Sequence, residues 1–155
     1  MKKGGCLCGD VRYEFSGVPL VTHACHCIEC QKISSSAYGV NLWIEAKDLK
    51  LTQGSLAKFS TIGGSGKPHD SYFCGQCGSA IYSVYHAAPP YFRFLRSGSL
   101  DDTSWVKPDV HIFLKDRQQG VSIESQVPQY DGYYNFKDVW SEASQKRFKS
   151  IINKD

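Results

Sequence analysis

The chain has 155 residues and a formal charge of +3, with 41% hydrophobic and 21% charged residues. This is the balance of one globular domain, not of a disordered chain, and the charge is too small for a dedicated nucleic-acid binder. Seven cysteines, an odd number, cannot all pair as intramolecular disulfides.

The chain opens on MKKGGCLCGD, two lysines with no apolar run behind them, so it does not read as a secretory signal. No segment approaches the roughly 20 apolar residues of a membrane span, and a soluble cytoplasmic protein is expected. Val11–Phe15 (VRYEF) alternates apolar and polar residues, the period of a half-buried strand. Glu29–Ser35 reads as a short helical turn. Ala37–Ile44 (AYGVNLWI), Phe73 and Ala80–Tyr85 (AIYSVY) are aromatic and β-branched, as are Tyr91–Leu95 and Val110–Leu114. Glycines and prolines punctuate these runs, which predicts a meandering antiparallel, mainly β domain. Thr61–His69 (TIGGSGKPH) resembles a phosphate cradle only superficially. Pro68 stands where a hydroxyl is required after Lys67, so the segment reads as a hairpin connection. Lys137–Ile152 carries Trp140, Ala143, Phe148 and Ile151 near one helical face. Residues 1–125 thus read as the β domain, and 126–155 as a tyrosine-rich linker and C-terminal helix packed on or beside it.

The cysteines form three clusters: Cys6 and Cys8 as C-x-C, Cys25, Cys27 and Cys30 as C-x-C-x-x-C, and Cys74 and Cys77 as C-x-x-C. In a reducing compartment, clustered thiols serve as metal ligands or catalytic groups more often than as disulfides. A closed structural zinc takes four ligands; a catalytic zinc takes three and keeps a fourth position open. Joining Cys6 and Cys8 to Cys74 and Cys77 fills one tetrahedron and leaves Cys25, Cys27 and Cys30 as an open trio. The competing readings are a disulfide set, a thioredoxin-like C-x-x-C, an iron–sulfur cluster, and a second structural zinc completed by His23 or His26. His26, like His23, reads as a solvent-facing residue fixed by the turn, with a donor or proton shuttle at the metal loop as its sharper role. His111 reads as a satisfied core histidine. Tyr38 and Ser34–Ser36 are placed to line a pocket beside the trio. Arg93 and Arg96 read as the outer face of their strand, or as partners for a carboxylate.

In order along the chain, G-G-C-L-C-G-D-V-R-Y, C-H-C-x-x-C, F-C-x-x-C-G-S, S-G-S-L-D-D (Ser97–Asp102) and P-D-V-H-I-F (Pro108–Phe113) resemble the glutathione-dependent formaldehyde-activating enzymes over about residues 4–115. The resemblance implies a small zinc-bound antiparallel domain of the β-tent type. It implies a structural zinc on Cys6, Cys8, Cys74 and Cys77, and a second, catalytic zinc on Cys25, Cys27 and Cys30, two ions per chain. It also implies a carbon–sulfur lyase that forms or breaks S-(hydroxymethyl)glutathione, with glutathione as co-substrate. Members similar to this chain often carry an arginine and a Ser-Gly-Ala stretch after the trio, where Gln31, Lys32, Ser34, Ser35, Ser36 and Ala37 stand here. Relatives resembling centromere protein V give the alternative, a non-enzymatic zinc-stabilised interaction module. The expected partner is a small thiol or aldehyde, not nucleic acid or membrane.

Overall fold

Short, glycine-punctuated apolar runs become ten short strands among the described residues. The computed structural model of the chain describes residues 1–123 and 126–153. The strands are β1 (Lys2–Gly5), β2 (Arg12–Phe15), β3 (Val21–Cys25), β4 (Gly39–Glu45), β5 (Leu49–Gln53), β6 (Leu56–Ile62), β7 (Pro68–Cys74), β8 (Ala80–Tyr85), β9 (Phe92–Arg96) and β10 (Val110–Ile112). Helix α1 (Ile28–Ser34) lies between β3 and β4, and α2 (Phe136–Val139) and α3 (Glu142–Ile152) follow β10. Among the described residues, no helix is long and apolar enough to cross a membrane.

The chain divides into two compact units, each assembled from two separate stretches. The first comprises Met1–Pro19 and Leu42–Val106. Here β1, β2 and β5 form an antiparallel sheet, and β6, β7, β8 and β9 an antiparallel meander. The alternation read in Val11–Phe15 is physical: Tyr13 and Phe15 are buried, while Arg12 and Glu14 are half-exposed. They pack with Val11, Leu42, Ile44, Ile81 and Leu95 in one core cluster that also takes in Cys6 and Cys74. The buried Tyr13 hydroxyl meets Ser99 Oγ at 2.8 Å. Gly4 is required beside it, because a Cβ there would collide with that hydroxyl and with the Ser99 carbonyl. Thr61–His69 is a hairpin connection: Ile62 pairs with Pro68, and Gly66 closes the turn at φ +75°. On the same meander, Asp70 accepts from Ser60 Oγ at 2.7 Å and His86 Nε2 at 3.1 Å, and Lys58 Nζ lies 3.6 Å away.

The second unit comprises Leu20–Asn41 and the chain from Lys107 onward. Its β10 runs parallel to β3, with Ile112 opposite Cys25. Every residue of both strands is buried. That is the pattern of parallel pairing and explains why VTHAC shows no alternation. β10 stops at Ile112, two residues short of the expected strand end, because Phe113 adopts a left-handed φ of 58°. The expected helix Lys137–Ile152 is broken in two. Trp140 ends α2, and the Ser141 hydroxyl caps α3 by accepting from Ser144 N at 3.1 Å. The break shifts the helical phase, so Ser144 is buried in α3 and Ala143 is exposed. Trp140, Phe136 and Phe148 form an aromatic cluster with ring centroids 5.3–6.2 Å apart.

Candidate metal centres

Two tight turns of like construction build the first centre. Leaving β1, the chain bends at Gly9 (φ +81°), and Gly9 N donates back to the Cys6 carbonyl at 3.2 Å. Leaving β7, it bends at Gly78 (φ +73°), and Gly78 N donates to the Cys74 carbonyl at 2.9 Å. Leu7 N donates to Ser79 Oγ at 3.1 Å and so ties one turn to the other. Cys6, Cys8, Cys74 and Cys77 thereby converge, with all four sulfurs within 4.8 Å of one another. Cys6 and Cys8 are 3.4 Å apart, and Cys8 and Cys74 are 3.7 Å apart. A tetrahedron with 2.3 Å zinc–sulfur bonds has edges of about 3.8 Å, whereas a disulfide is about 2 Å long. The spacing therefore fits four thiolates around one soft divalent ion, and all seven cysteines are free thiols.

The electrostatics point the same way. The Val11 N–H at 3.2 Å holds the Cys6 thiol below its ordinary pKa. The Ser79 hydroxyl and N–H bring Cys77 down to about 5. Cys8 has a backbone donor at Asp10, yet the neighbouring Cys6 and Cys77 sulfurs push it up to about 12. Four thiolates this close ionise together only around a cation, which reverses the penalty.

The second centre is built at the junction of β3 and α1. Cys25 ends the buried strand, Cys27 is the residue that caps α1, and Cys30 follows in the first turn. Cys25 Sγ lies 3.4 Å from Cys27 Sγ, which accepts from Cys30 N at 3.4 Å. The three sulfurs again lie within 4.8 Å of one another. Asn41 Nδ2 donates to Cys30 Sγ at 3.6 Å. Cys25 and Cys30 are buried and Cys27 is half-exposed, so the trio is approached from the Cys27 side. The thiols of Cys27 and Cys30, with burial, raise the Cys25 pKa strongly. Cys27 is lowered by its bond to Cys25, but Cys30 and burial outweigh this and leave it at about 11.

No histidine joins either group among the described residues. His26 is not solvent-facing: its ring is fully buried, with Nε2 3.1 Å from His111 Nδ1 and its face 4.8 Å from the Tyr38 ring. Its backbone N–H donates to the Ile112 carbonyl, which fixes the residue in register with β10 and turns the side chain inward. Burial, and then the neighbouring His111, lower His26 to about 4, and burial lowers His111 as well. His23 is buried too, with Nε2 2.6 Å from the Tyr134 hydroxyl, and burial lowers it to about 4.

Ser34–Ser36 fasten the turn after α1: Ser34 Oγ donates to the Cys30 carbonyl at 2.6 Å and Ser36 Oγ to the Tyr38 carbonyl at 2.6 Å. Beside them is a shallow depression of about 480 Å³ lined by Gln31, Lys32, Ser35, Ser36, Ala37 and Gln118. Gln31 is a brace: its Nε2 donates to the His26 and Asp116 carbonyls at 2.6 and 2.8 Å, and its Oε1 accepts from Gln118 at 3.1 Å. Arg93 lies over the Tyr82 ring, with its centroid 5.9 Å away, and donates to the Pro90 and Phe92 carbonyls. Arg96 is buried, not on an outer face, with Nη2 3.4 Å from Ser83 Oγ. Asn41, Tyr133 and Tyr134 were not singled out as site residues by the sequence; the only signal for the two tyrosines is the aromatic density of the segment after Gln126.

Comparison with known proteins extends this description. The family model "Glutathione-dependent formaldehyde-activating enzyme" matches residues 1–116. A Halomonas elongata protein, provisionally named a glutathione-dependent formaldehyde-activating enzyme, is 28% identical over 127 residues, 79% of this chain and 81% of that protein. The crystal structure of a Rhodobacter sphaeroides protein superposes with a TM-score of 0.53 at 20% identity, covering 82% of this chain and 98% of that one, a likeness of fold.

Proposed function

Because the chain belongs to the glutathione-dependent formaldehyde-activating enzyme family, we propose that it is a zinc-dependent carbon–sulfur lyase. Its reaction is the reversible addition of glutathione to formaldehyde, giving S-(hydroxymethyl)glutathione. Two zinc ions per chain belong to this reading, a structural one on Cys6, Cys8, Cys74 and Cys77 and a catalytic one on Cys25, Cys27 and Cys30. The observation that carries it is the three-thiol set with two buried members and one half-exposed member. It offers three ligands and an approachable side, where the other cluster offers four.

When bound, zinc lowers the pKa of a thiol that coordinates it and so supplies the nucleophile near neutral pH. The chain's residues hold the geometry. Cys25, Cys27 and Cys30 are fixed by a strand end and a helix start, and Asn41 orients Cys30. The brace from Gln31 to the His26 carbonyl keeps the loop closed. In the forward direction the glutathione thiol gives up its proton and its sulfur adds to the carbonyl carbon; a carbon–sulfur bond forms as the C=O π bond opens, and the oxygen takes up a proton. The reverse step breaks that bond and releases the aldehyde.

The test is NMR exchange between glutathione and formaldehyde with and without protein. Acceleration is expected and should be lost in Cys27→Ser while the circular dichroism of the fold is kept. Unaccelerated exchange across neutral pH would overturn the lyase reading and leave a zinc-stabilised interaction module.

A further inference from the structure

The tail that follows the family match holds an unexplained arrangement. On β3, residues two apart share a face, so the side chains of His23 and Cys25 lie on the same side of the strand. The His23 ring is met edge-on by Tyr133 at 5.9 Å and by Tyr134 at 5.5 Å. Tyr134 is locked: its hydroxyl meets His23 Nε2 at 2.6 Å and accepts from Trp140 Nε1 at 2.8 Å. Tyr133 stacks on Tyr134, with ring centroids 4.8 Å apart and planes 13° from parallel. Its other neighbour is Phe113, at 6.3 Å, one residue beyond the Ile112 that pairs with Cys25. Tyr133 is therefore held by His23, two residues before Cys25 on β3, and by Phe113, one residue beyond the partner of Cys25 on β10. It still exposes 52% of its surface. Phe113 N donates to the Gly132 carbonyl at 3.1 Å, which pins the backbone just before Tyr133. Burial of the ring flank, Tyr134 and Cys25 all raise its phenol, which stays neutral.

We propose that Tyr133 is a positioning residue, a wall of the Cys25–Cys27–Cys30 site that limits the size of what reaches the thiols. The tail is on this view part of the specificity of the site and not only a cap. A half-exposed ring anchored on a locked partner presents a rigid flat surface at little entropic cost. Its consequence for substrate, which rests on the lyase reading, is selection for a slender aldehyde carbon over a branched or aromatic one.

The size filter can be measured without any catalysis. Protein as purified is treated with iodoacetamide or with bulky N-aryl maleimides, and each cysteine peptide is followed by mass spectrometry. In Tyr133→Ala the maleimide rate at the trio should rise about tenfold, the low end of what one pocket contact is worth. The iodoacetamide rate should rise less, and Cys6, Cys8, Cys74 and Cys77 should be unchanged. Tyr133→Phe should match wild type, since the ring is the wall. Tyr133→Trp should slow the maleimide further, and it decides the matter if the alanine variant fails to fold. Equal maleimide-to-iodoacetamide ratios in wild type and variants would overturn the proposal. If glutathione–formaldehyde exchange is not accelerated by wild type but the ratios shift as stated, the wall stands and the lyase reading falls. If exchange is accelerated, Tyr133→Ala should also gain on larger aldehydes relative to formaldehyde.

Discussion

At the scale of single residues, the grouping of the thiols was legible in the sequence and the surroundings of the histidines were not. Spacing alone brings Cys25, Cys27 and Cys30 to one turn, because C-x-C-x-x-C is a local pattern. His26 lies inside that pattern, yet its place is decided by a residue far along the chain, His111, which gives its buried ring a partner at 3.1 Å. No local signal announces a contact of that sequence separation. Arg96 shows the same limit, since strand alternation suggested an outer face for a residue that is buried. The Asp70 group makes a prediction at this scale. Bonds from Ser60 and His86, with Lys58 nearby, lower its carboxyl below the ordinary 3.8. The charged form is thus favoured by folding. Its contribution is complete above about pH 4 and is lost as pH falls through the lower folded value. Asp70→Asn should therefore flatten the acid limb of a stability–pH curve below about pH 4, measured by urea unfolding at successive pH values. An unchanged acid limb would remove Asp70 from the account.

At the scale of elements, strands with one buried face were readable and those without were not. Arg12–Phe15 alternates because only one face meets the core, whereas Val21–Cys25 is buried throughout and β6 exposes Lys58, Phe59 and Ser60 in succession at the outer edge of the meander. Neither of the latter carries the period of two. The terminal helix was legible as helical, but its break was set by one side chain. Ser141 competes for the backbone N–H of Ser144 and starts a second helix in a new phase. Ser141→Ala should cost about 1 kcal/mol, a fall in Tm of about 3 °C for a domain of this size, read by thermal unfolding. Ser141→Asp should restore most of it, since an aspartate caps as well as a serine.

At the scale of the whole molecule, the two thiol clusters fall in different units, so metal loading and stability should separate. Metal analysis of protein purified without chelator should give two zinc ions per chain. Cys74→Ser removes one thiol of a cluster in the core of its unit, and on the proposed zinc reading it should leave that unit unfolded, because a structural zinc supplies folding free energy on the order of 10 kcal/mol. Cys27→Ser should lose one ion and keep the fold, as judged by circular dichroism and amide exchange. Equal unfolding in both variants would make both centres structural. The first unit, moreover, is a composite of two stretches separated in sequence, each carrying two of its four thiols, so these do not emerge from the ribosome together. Cys25, Cys27 and Cys30 appear within a single turn of synthesis. Cys8 waits 66 residues for Cys74, roughly 3–13 s at bacterial or eukaryotic elongation rates. During that interval Cys6 and Cys8 lack the other two thiols of their cluster. The trio is thus complete within six residues of chain, whereas the four-thiol cluster closes only once the second stretch of its unit has been made.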